Sequence, residues 1–126
     1  AGAGGLHAAI DYVNRIGFEE MHRRELALTR RAMEGIRSIP SIHVLGSESP
    51  EEHCGILAFT VEGVHPHDIS EILASDGVAI RAGHHCAQPL LAYLGHPSTA
   101  RASIAFYNTE EEIDRGIDAM RTLAME

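Results

Sequence analysis

The sequence predicts an α+β domain, a two-layer sandwich in which a small, mainly antiparallel sheet of about four strands carries helices on one face. Two observations predict it. Apolar residues recur at helical spacing near both ends of the chain, whereas short apolar runs between turn residues have the length of strands. The predicted order is α-α-β-β-α-β-β-α, without internal repeats, low-complexity tracts or linkers. Its 126 residues fit one domain, residues 1–126.

The N-terminal third of the chain is predicted to form two helices. The first covers residues 5–16 and ends at Gly17, because glycine suits the position just after a helix. The second covers residues 18–39 and is stopped by Pro40. Its apolar stripe consists of Met21, Leu28, Ala32 and Ile36.

Strands and a third helix are predicted next. Residues 42–45 read as a short strand, and a polar loop over residues 46–52 follows. The nearly continuous apolar run over residues 56–61 is typical of a central strand. Pro66 suits the first position of a helix, and Gly77 suits its end. The inward side chains of this helix are predicted to be Ile69, Ile72 and Leu73.

The C-terminal third is predicted to contain two more strands, over residues 78–80 and 101–106, separated by a helical turn at residues 88–94. Thr109 and Glu112 have the spacing of a capping box, which predicts the start of the last helix. The apolar face of that helix consists of Ile113, Ile117, Met120 and Ala124.

Composition excludes several function classes. The formal net charge of −8 argues against a nucleic-acid partner. No apolar stretch approaches the length of a membrane span and no signal peptide is recognisable, so we expect no membrane contact. The two cysteines are far apart and lack metal-site spacing, which favours a reducing cytoplasm over a disulfide scaffold or a zinc ribbon. All ten basic residues are arginine, so the chain cannot supply a Schiff-base lysine.

The most informative residue is Cys86, which lies in the run Arg81-Ala-Gly-His-His-Cys-Ala-Gln-Pro89. Nearby positive charge favours the thiolate, which is the nucleophilic form of cysteine. A loop directly after a strand is also a common position for reactive groups. The sequence therefore predicts a nucleophile at Cys86. The alternatives are a small apolar side chain in a turn, or a metal site formed with His84 and His85, which we disfavour because adjacent histidines diverge on an extended chain.

Two arginines are candidates for binding a carboxylate. Arg81 and Arg101 fall on the polar faces of predicted strands near the thiol, and a guanidinium can bind a carboxylate through two parallel hydrogen bonds. The alternative is that each pairs with a surface acid. Cys54 is predicted to be a buried structural thiol, and the histidines that flank Pro66 are predicted to lie on an exposed loop.

The run from Arg81 to Pro89, followed by Arg101-Ala-Ser-Ile-Ala-Phe-Tyr-Asn-Thr109, resembles the C-terminal domain of group II (Suf-type) cysteine desulfurases. These enzymes have the class V fold of aminotransferases that use pyridoxal 5′-phosphate. The resemblance extends over nearly the whole chain. It includes Gly4-Gly-Leu-His-Ala-Ala9, similar to the start of an interdomain helix. The short loop around Cys86 is also similar to the group II form.

The resemblance implies a reaction and a set of roles. Cys86 would take sulfur from L-cysteine as a persulfide, L-alanine would leave, and a Suf-type acceptor protein would receive the sulfur for iron–sulfur cluster assembly. Arg101 would hold the substrate carboxylate, with Arg81 beside it. Gly83, His84 and His85 would shape the loop. No cofactor-binding or metal-binding residue is expected in this chain.

The same resemblance implies that the large domain, which binds pyridoxal phosphate in a full-length homodimer, is missing. We therefore expect this fragment to be inactive alone, and surfaces that normally face the large domain, the first helix above all, to be exposed and apolar. Three alternatives stay open. The chain could be a stand-alone persulfide carrier, a class V aminotransferase-like domain with another substrate, or a purely structural domain.

Overall fold

The computed structural model describes residues 1–125 and folds them into a layer of helices on an antiparallel sheet. The helices are α1 (Gly2–Ile16), α2 (Phe18–Arg37), α3 (Pro66–Ser75), α4 (Gln88–Tyr93) and α5 (Glu110–Met125). The strands are β1 (Ile42–Val44), β2 (Ile56–Val61), β3 (Arg81–Gly83) and β4 (Thr99–Ser103). The predicted α+β class is confirmed.

The sheet has the spatial order β1-β2-β4-β3, and every neighbouring pair is antiparallel. The two central strands, β2 and β4, pair with Leu57 opposite Ala102 and Phe59 opposite Ala100. All four of these side chains lie on one face, because alternate residues of a strand share a face. Leu57, Phe59 and Ala100 have no solvent exposure, so this face carries the core.

Three helices cover that face. Each contributes the apolar side chains that recur at helical spacing, so the amphipathic pattern of the sequence sets which side is buried. The side chains that these helices contribute to the core cluster are Ala32, Met33 and Ile36 from α2, Ile69 and Leu73 from α3, and Ile117, Met120 and Leu123 from α5. Ile72, which was predicted to face inward, is exposed.

The predicted strand over residues 78–80 is wrong. The side chains of Val78 and Ile80 do pack against the core, but their backbone groups bond to α3 and not to a strand. The Val78 N–H donates to the Leu73 carbonyl at 2.8 Å, and the Ser70 hydroxyl donates to the Ile80 carbonyl at 3.2 Å. The strand therefore begins only at Arg81.

The last predicted strand, over residues 101–106, lies two to three residues too late. β4 begins at Thr99 and ends at Ser103. After Ile104, whose N–H donates to the Gly55 carbonyl at 2.7 Å, the chain turns. The Asn108 side chain closes the turn by accepting the Ala105 N–H at 2.8 Å. A polar side chain that binds nearby backbone is what ends the strand here.

Other boundaries shift by a few residues. α1 begins at Gly2, before the predicted residue 5, and α2 ends at Arg37, two residues before the predicted end. The predicted loop over residues 46–52 contains a short 3₁₀ helix, Pro50–Glu52. The capping box is confirmed, since the Glu112 N–H donates to the Thr109 hydroxyl at 3.1 Å and Glu112 Oε2 accepts the Thr109 N–H at 3.2 Å.

The first helix has no buried side chain. Leu6 and Ile10 are 63% and 49% exposed, which confirms that α1 presents apolar surface to its surroundings. Even so, within residues 1–125 no helix is both long enough and apolar enough to cross a bilayer.

Two helical glycines provide a test of how tightly the helix layer is packed. A Cβ at Gly35 on α2 would lie 2.8 Å from Ile117 Cγ1, whereas one at Gly116 on α5 would lie 4.0 Å from Val78 Cγ1. We expect Gly116→Ala to stabilise the domain by up to about 1 kcal/mol through helix propensity. Gly35→Ala should be about 1–3 kcal/mol less stable than Gly116→Ala, because Ile117 is branched and buried.

Chemical denaturation of the two variants and the parent chain measures this difference. Equal midpoints for the two alanine variants would show that α2 and α5 can move apart without cost.

Candidate functional site

Cys86 lies in a tight turn that directly follows β3. The strand ends at Gly83, which has φ +127°. The turn is closed by the Ala87 N–H, which donates to the His84 carbonyl at 2.9 Å. Its two central residues, His85 and Cys86, have φ +55° and +59°. Turns with positive φ at both central residues normally use glycine, asparagine or aspartate.

This backbone stores strain at the thiol. A residue with a Cβ in the left-handed region costs roughly 1–2 kcal/mol, and here two such residues are consecutive. The Cys86 N–H is satisfied locally, since it donates to His84 Nδ1 at 3.2 Å. Cys86 is exposed and has no disulfide partner. The turn therefore presents an accessible thiol in a fixed, unfavourable conformation, which is a frequent property of functional sites.

His85 connects the turn to the sheet. Its Nε2 lies 2.9 Å from Thr99 Oγ1, and its Nδ1 is buried without a partner. Burial lowers the pKa of His85 below its usual range, and the charges of Arg101 and Arg81 lower it further, although the Thr99 backbone acts in the opposite direction. The imidazole is therefore neutral near pH 7 and does not add a third positive charge.

Arg81 and Arg101 lie directly opposite each other in the β3–β4 ladder. Paired residues of an antiparallel ladder point to the same face, and like charges in this position destabilise a sheet. This face, opposite the core, carries Arg81, Arg101 and Thr99, and we call it the site face. Arg81 is exposed, and Arg101 is half-buried with its Nε lacking a partner.

The two arginines differ from most others in the chain. Within residues 1–125, the arginines that bind a carboxylate or a backbone carbonyl are Arg23, Arg24, Arg30, Arg31, Arg37, Arg115 and Arg121. Arg81 and Arg101 have no such partner there, and neither has Arg15 on α1. Two guanidinium groups on one strand face, neither of them paired with an acid, form a positive surface suited to a carboxylate.

The sequence-based candidates thus come together. Cys86, His84 and His85 form one turn, and the two arginines lie on the strands that flank it. Thr99, which is fully buried, was not among the candidates predicted from the sequence. Its only sequence signal is that it precedes Arg101 by two residues and so shares a strand face with it.

The prediction for Cys54 is wrong. This residue is exposed rather than buried, and it lies in a turn before β2 with φ +51°. The Ile56 N–H closes that turn by donating to the His53 carbonyl at 2.9 Å. The thiol lies outside the core, beside Phe18 and Met21 of α2.

The remaining histidines do not form a site. His65 and His67 are exposed, as predicted, and their rings stack with centroids 5.2 Å apart. His65 Nδ1 accepts the His67 N–H at 3.2 Å and so caps α3. Across residues 1–125, no group of three or more histidine, cysteine or acidic side chains is arranged to hold a metal ion.

Comparison with known proteins identifies the family. The model of the family described as aminotransferase class-V matches residues 1–115. This chain belongs to the aminotransferase class-V family. The match includes the site face and the Cys86 turn, so the candidate site lies within the family's own sequence.

Curated relatives are similar in sequence. A probable cysteine desulfurase from Halalkalibacterium halodurans is 46% identical over 90% of this chain and 27% of its own length. One from Xylella fastidiosa is 47% identical over 95% of this chain and 28% of its own length. The chain thus spans less than a third of these relatives.

Solved structures agree with the sequence relatives. The apo structure of a cysteine desulfurase from Thermococcus onnurineus superposes with a TM-score of 0.91 at 37% identity. The match covers 96% of this chain and 30% of that protein. The chain is therefore similar to one segment of cysteine desulfurases, both in sequence and in fold.

The strain at Cys86 can be measured by substitution. We expect Cys86→Gly to be more stable than Cys86→Ala by about 1 kcal/mol, since glycine adopts positive φ without the Cβ penalty. At the neighbouring Ala87, where φ is −124°, glycine should instead destabilise the chain. Denaturant midpoints of the three variants provide the measurement, and a glycine at position 86 that is no better than alanine would refute the strain.

The facing arginines should cost stability in the absence of a bound anion. We expect Arg81→Gln to stabilise the chain by less than about 1 kcal/mol at low salt, because it removes the repulsion from Arg101. The gain should shrink at high salt, where charges are screened. Arg15→Gln is the matched control, since Arg15 also lacks a carboxylate partner but lies on an exposed helix. A loss of stability on Arg81→Gln would contradict the repulsion.

Proposed function

We propose that this chain is the C-terminal domain of a cysteine desulfurase of group II (Suf type), and that Cys86 is the thiol that receives sulfur. The observation that supports this most is the exposed Cys86 in a strained turn beside two arginines without acidic partners. Relatives that are 46–47% identical and named probable cysteine desulfurase add support. The longer protein would act on L-cysteine and release L-alanine.

The chain does not itself fit the role of cofactor holder. Pyridoxal phosphate is anchored in its enzymes through a lysine, and this sequence has none. The cofactor would be held by the part of the longer polypeptide outside this chain. When bound there, it supplies an electron sink that makes the bond between carbon and sulfur of the substrate labile.

Arg101 and Arg81 would bind and orient the substrate. The two residues are directly opposite in the β3–β4 ladder and their side chains leave the same face, so a carboxylate bound by both would replace repulsion with two attractive contacts. Arg101 is half-buried, which reduces solvent screening of its charge, and its Nε is a donor without a partner. We assign Arg101 as the principal carboxylate ligand, with Arg81 beside it.

Cys86 would carry out the transfer. As the thiolate, its Sγ attacks the substrate sulfur, so that a new S–S bond forms while the C–S bond of the substrate breaks. The electron pair of the broken bond stays with the substrate carbon, which takes up a proton and leaves as alanine. The sum is L-cysteine plus one thiol giving L-alanine plus one persulfide, so no external oxidant or reductant is needed.

Gly83, His84 and His85 would support this step by shape. Gly83 ends the strand with positive φ, His84 Nδ1 accepts the Cys86 N–H, and the neutral His85 lies against the sheet. An exposed thiol on a short turn is also accessible to a second protein. We propose that a Suf-type acceptor takes the persulfide sulfur for iron–sulfur cluster assembly, in the cytoplasm, and that the full-length protein is a homodimer.

The proposal predicts a division of activity between this chain and the longer protein. This chain with added pyridoxal phosphate and L-cysteine should form no alanine above a control with free pyridoxal phosphate. The product of the whole reading frame should form alanine and a persulfide that peptide mass spectrometry locates at Cys86.

Two variants of the longer protein sharpen the test. Cys86→Ala should abolish persulfide and alanine formation in the absence of added thiol, whereas Cys54→Ala, which removes the other exposed thiol, should retain both. Alanine formation by this chain alone, or a persulfide that persists after Cys86→Ala, would contradict the proposal.

A further inference from the structure

Thr99 is an unusual residue for a buried position. Within residues 1–125, the fully buried polar side chains are Thr29 and Thr99. The Thr29 hydroxyl donates to the Glu25 carbonyl of its own helix, a local bond that is common in α-helices. The Thr99 hydroxyl instead bonds to His85, fourteen positions earlier in the sequence.

The Cys86 turn needs an attachment of this kind. Its two internal bonds, from Ala87 N–H to the His84 carbonyl and from Cys86 N–H to His84 Nδ1, close the turn but do not connect it to the sheet. The β3–β4 ladder ends at the pair Gly83–Thr99, where the turn begins. Since His85 and Cys86 both hold an unfavourable φ, contacts outside the turn must stabilise it.

The same strand face that binds the turn also carries the arginine. Thr99 and Arg101 are separated by one residue on β4, so their side chains share the site face and lie about 7 Å apart along the strand. The attachment of the thiol turn and the proposed carboxylate ligand therefore belong to one rigid element. Their separation is fixed by the backbone of β4.

We propose that Thr99 is a positioning residue for the sulfur-transfer step: its hydroxyl, acting through His85, holds Cys86 at a set distance from Arg101. This inference rests on the proposed function. A substrate cysteine held by its carboxylate can place its sulfur only within a limited region, so the thiol must be held within reach of that region. Errors of about 1 Å in such placement can cost on the order of a hundredfold in rate.

The protonation of His85 is consistent with this role. Burial, the charges of Arg101 on β4 and Arg81 on β3, and the titratable His84 in the turn hold the pKa of His85 below its usual range. The neutral ring has one N–H. With that proton on Nε2, it donates to Thr99, and the buried Nδ1 is left as a bare acceptor. With the proton on Nδ1, Nε2 could still accept from the Thr99 hydroxyl, but the buried Nδ1–H would then have no acceptor, so we expect the tautomer with the proton on Nε2.

The first experiment uses this chain and needs no turnover. We expect nitrogen NMR of the parent chain to show a single His85 tautomer, and the backbone resonances of Cys86 to report positive φ. Thr99→Val keeps the shape but removes the hydroxyl, so both tautomers should appear and the Cys86 resonances should shift toward ordinary conformations. Thr99→Ser keeps the hydroxyl and should behave as the parent; if the valine variant does not fold, Thr99→Ala takes its place.

The second experiment uses the product of the whole reading frame. Thr99→Val should lower kcat for alanine formation at least about tenfold, with KM for L-cysteine changed by less than about twofold, because Arg101 still binds the carboxylate. Thr99→Ser should recover at least half of kcat. If Thr99 had only a structural role, Thr99→Val would lower the amount of folded enzyme. Thr99→Ser would then not restore kcat through its hydroxyl.

The outcomes separate this inference from the proposed function. Unchanged NMR signatures in Thr99→Val, or changed signatures with unchanged kcat, would overturn the positioning role. An inactive parent enzyme would contradict the proposed function instead. In that case the NMR comparison still decides whether Thr99 fixes the conformation of the Cys86 turn.

Discussion

The candidate site depends on the central position of β4. This strand pairs with β2 on one side and with β3 on the other, and its alternation sends Ala100 toward the core and Arg101 toward the site face. A shift of one residue in register would bury the arginine and expose the alanine, so the core interactions that fix the register also fix the site. The buried face is therefore what determines where the functional groups lie.

Several features of the site oppose stability. Two non-glycine residues hold positive φ, two arginines face each other without an acid, and polar atoms of His85 and Arg101 are buried without partners. None of these features contributes to packing. A ligand carboxylate would offset the repulsion between the two arginines and supply an acceptor for the Arg101 Nε–H. The unfavourable features are therefore consistent with a site that is complete only when a ligand is bound.

The sequence was informative where local chemistry decides the structure. The capping box at Thr109 and the glycine after α1 depend on residues close in sequence, and both were predicted. The position of Cys86 in a loop directly after a strand was predicted for the same reason, whereas its role as a nucleophile stays a prediction. The predicted strand was wrong where the backbone could form hydrogen bonds with either a strand or a helix. Residues 78–80 are apolar enough for a strand, but their hydrogen bonds go to α3, and no periodicity in the sequence shows that. The contact of Thr99 with His85 was invisible for the same reason, because it forms only after β3 and β4 pair.

The site lies at a surface because this chain holds only part of the chemical groups that the proposed reaction needs. This chain supplies a thiol and two arginines but no lysine, so under the proposed function the reacting sulfur must be activated by groups from outside it. Such a site cannot be enclosed by this domain, and both Cys86 and Arg81 are in fact exposed. Because the domain cannot enclose the thiol, it must orient it from beneath, and the bond from His85 to the buried Thr99 provides that support. A neutral His85 is consistent with this arrangement, since the charges of Arg101 and Arg81 would repel a protonated ring.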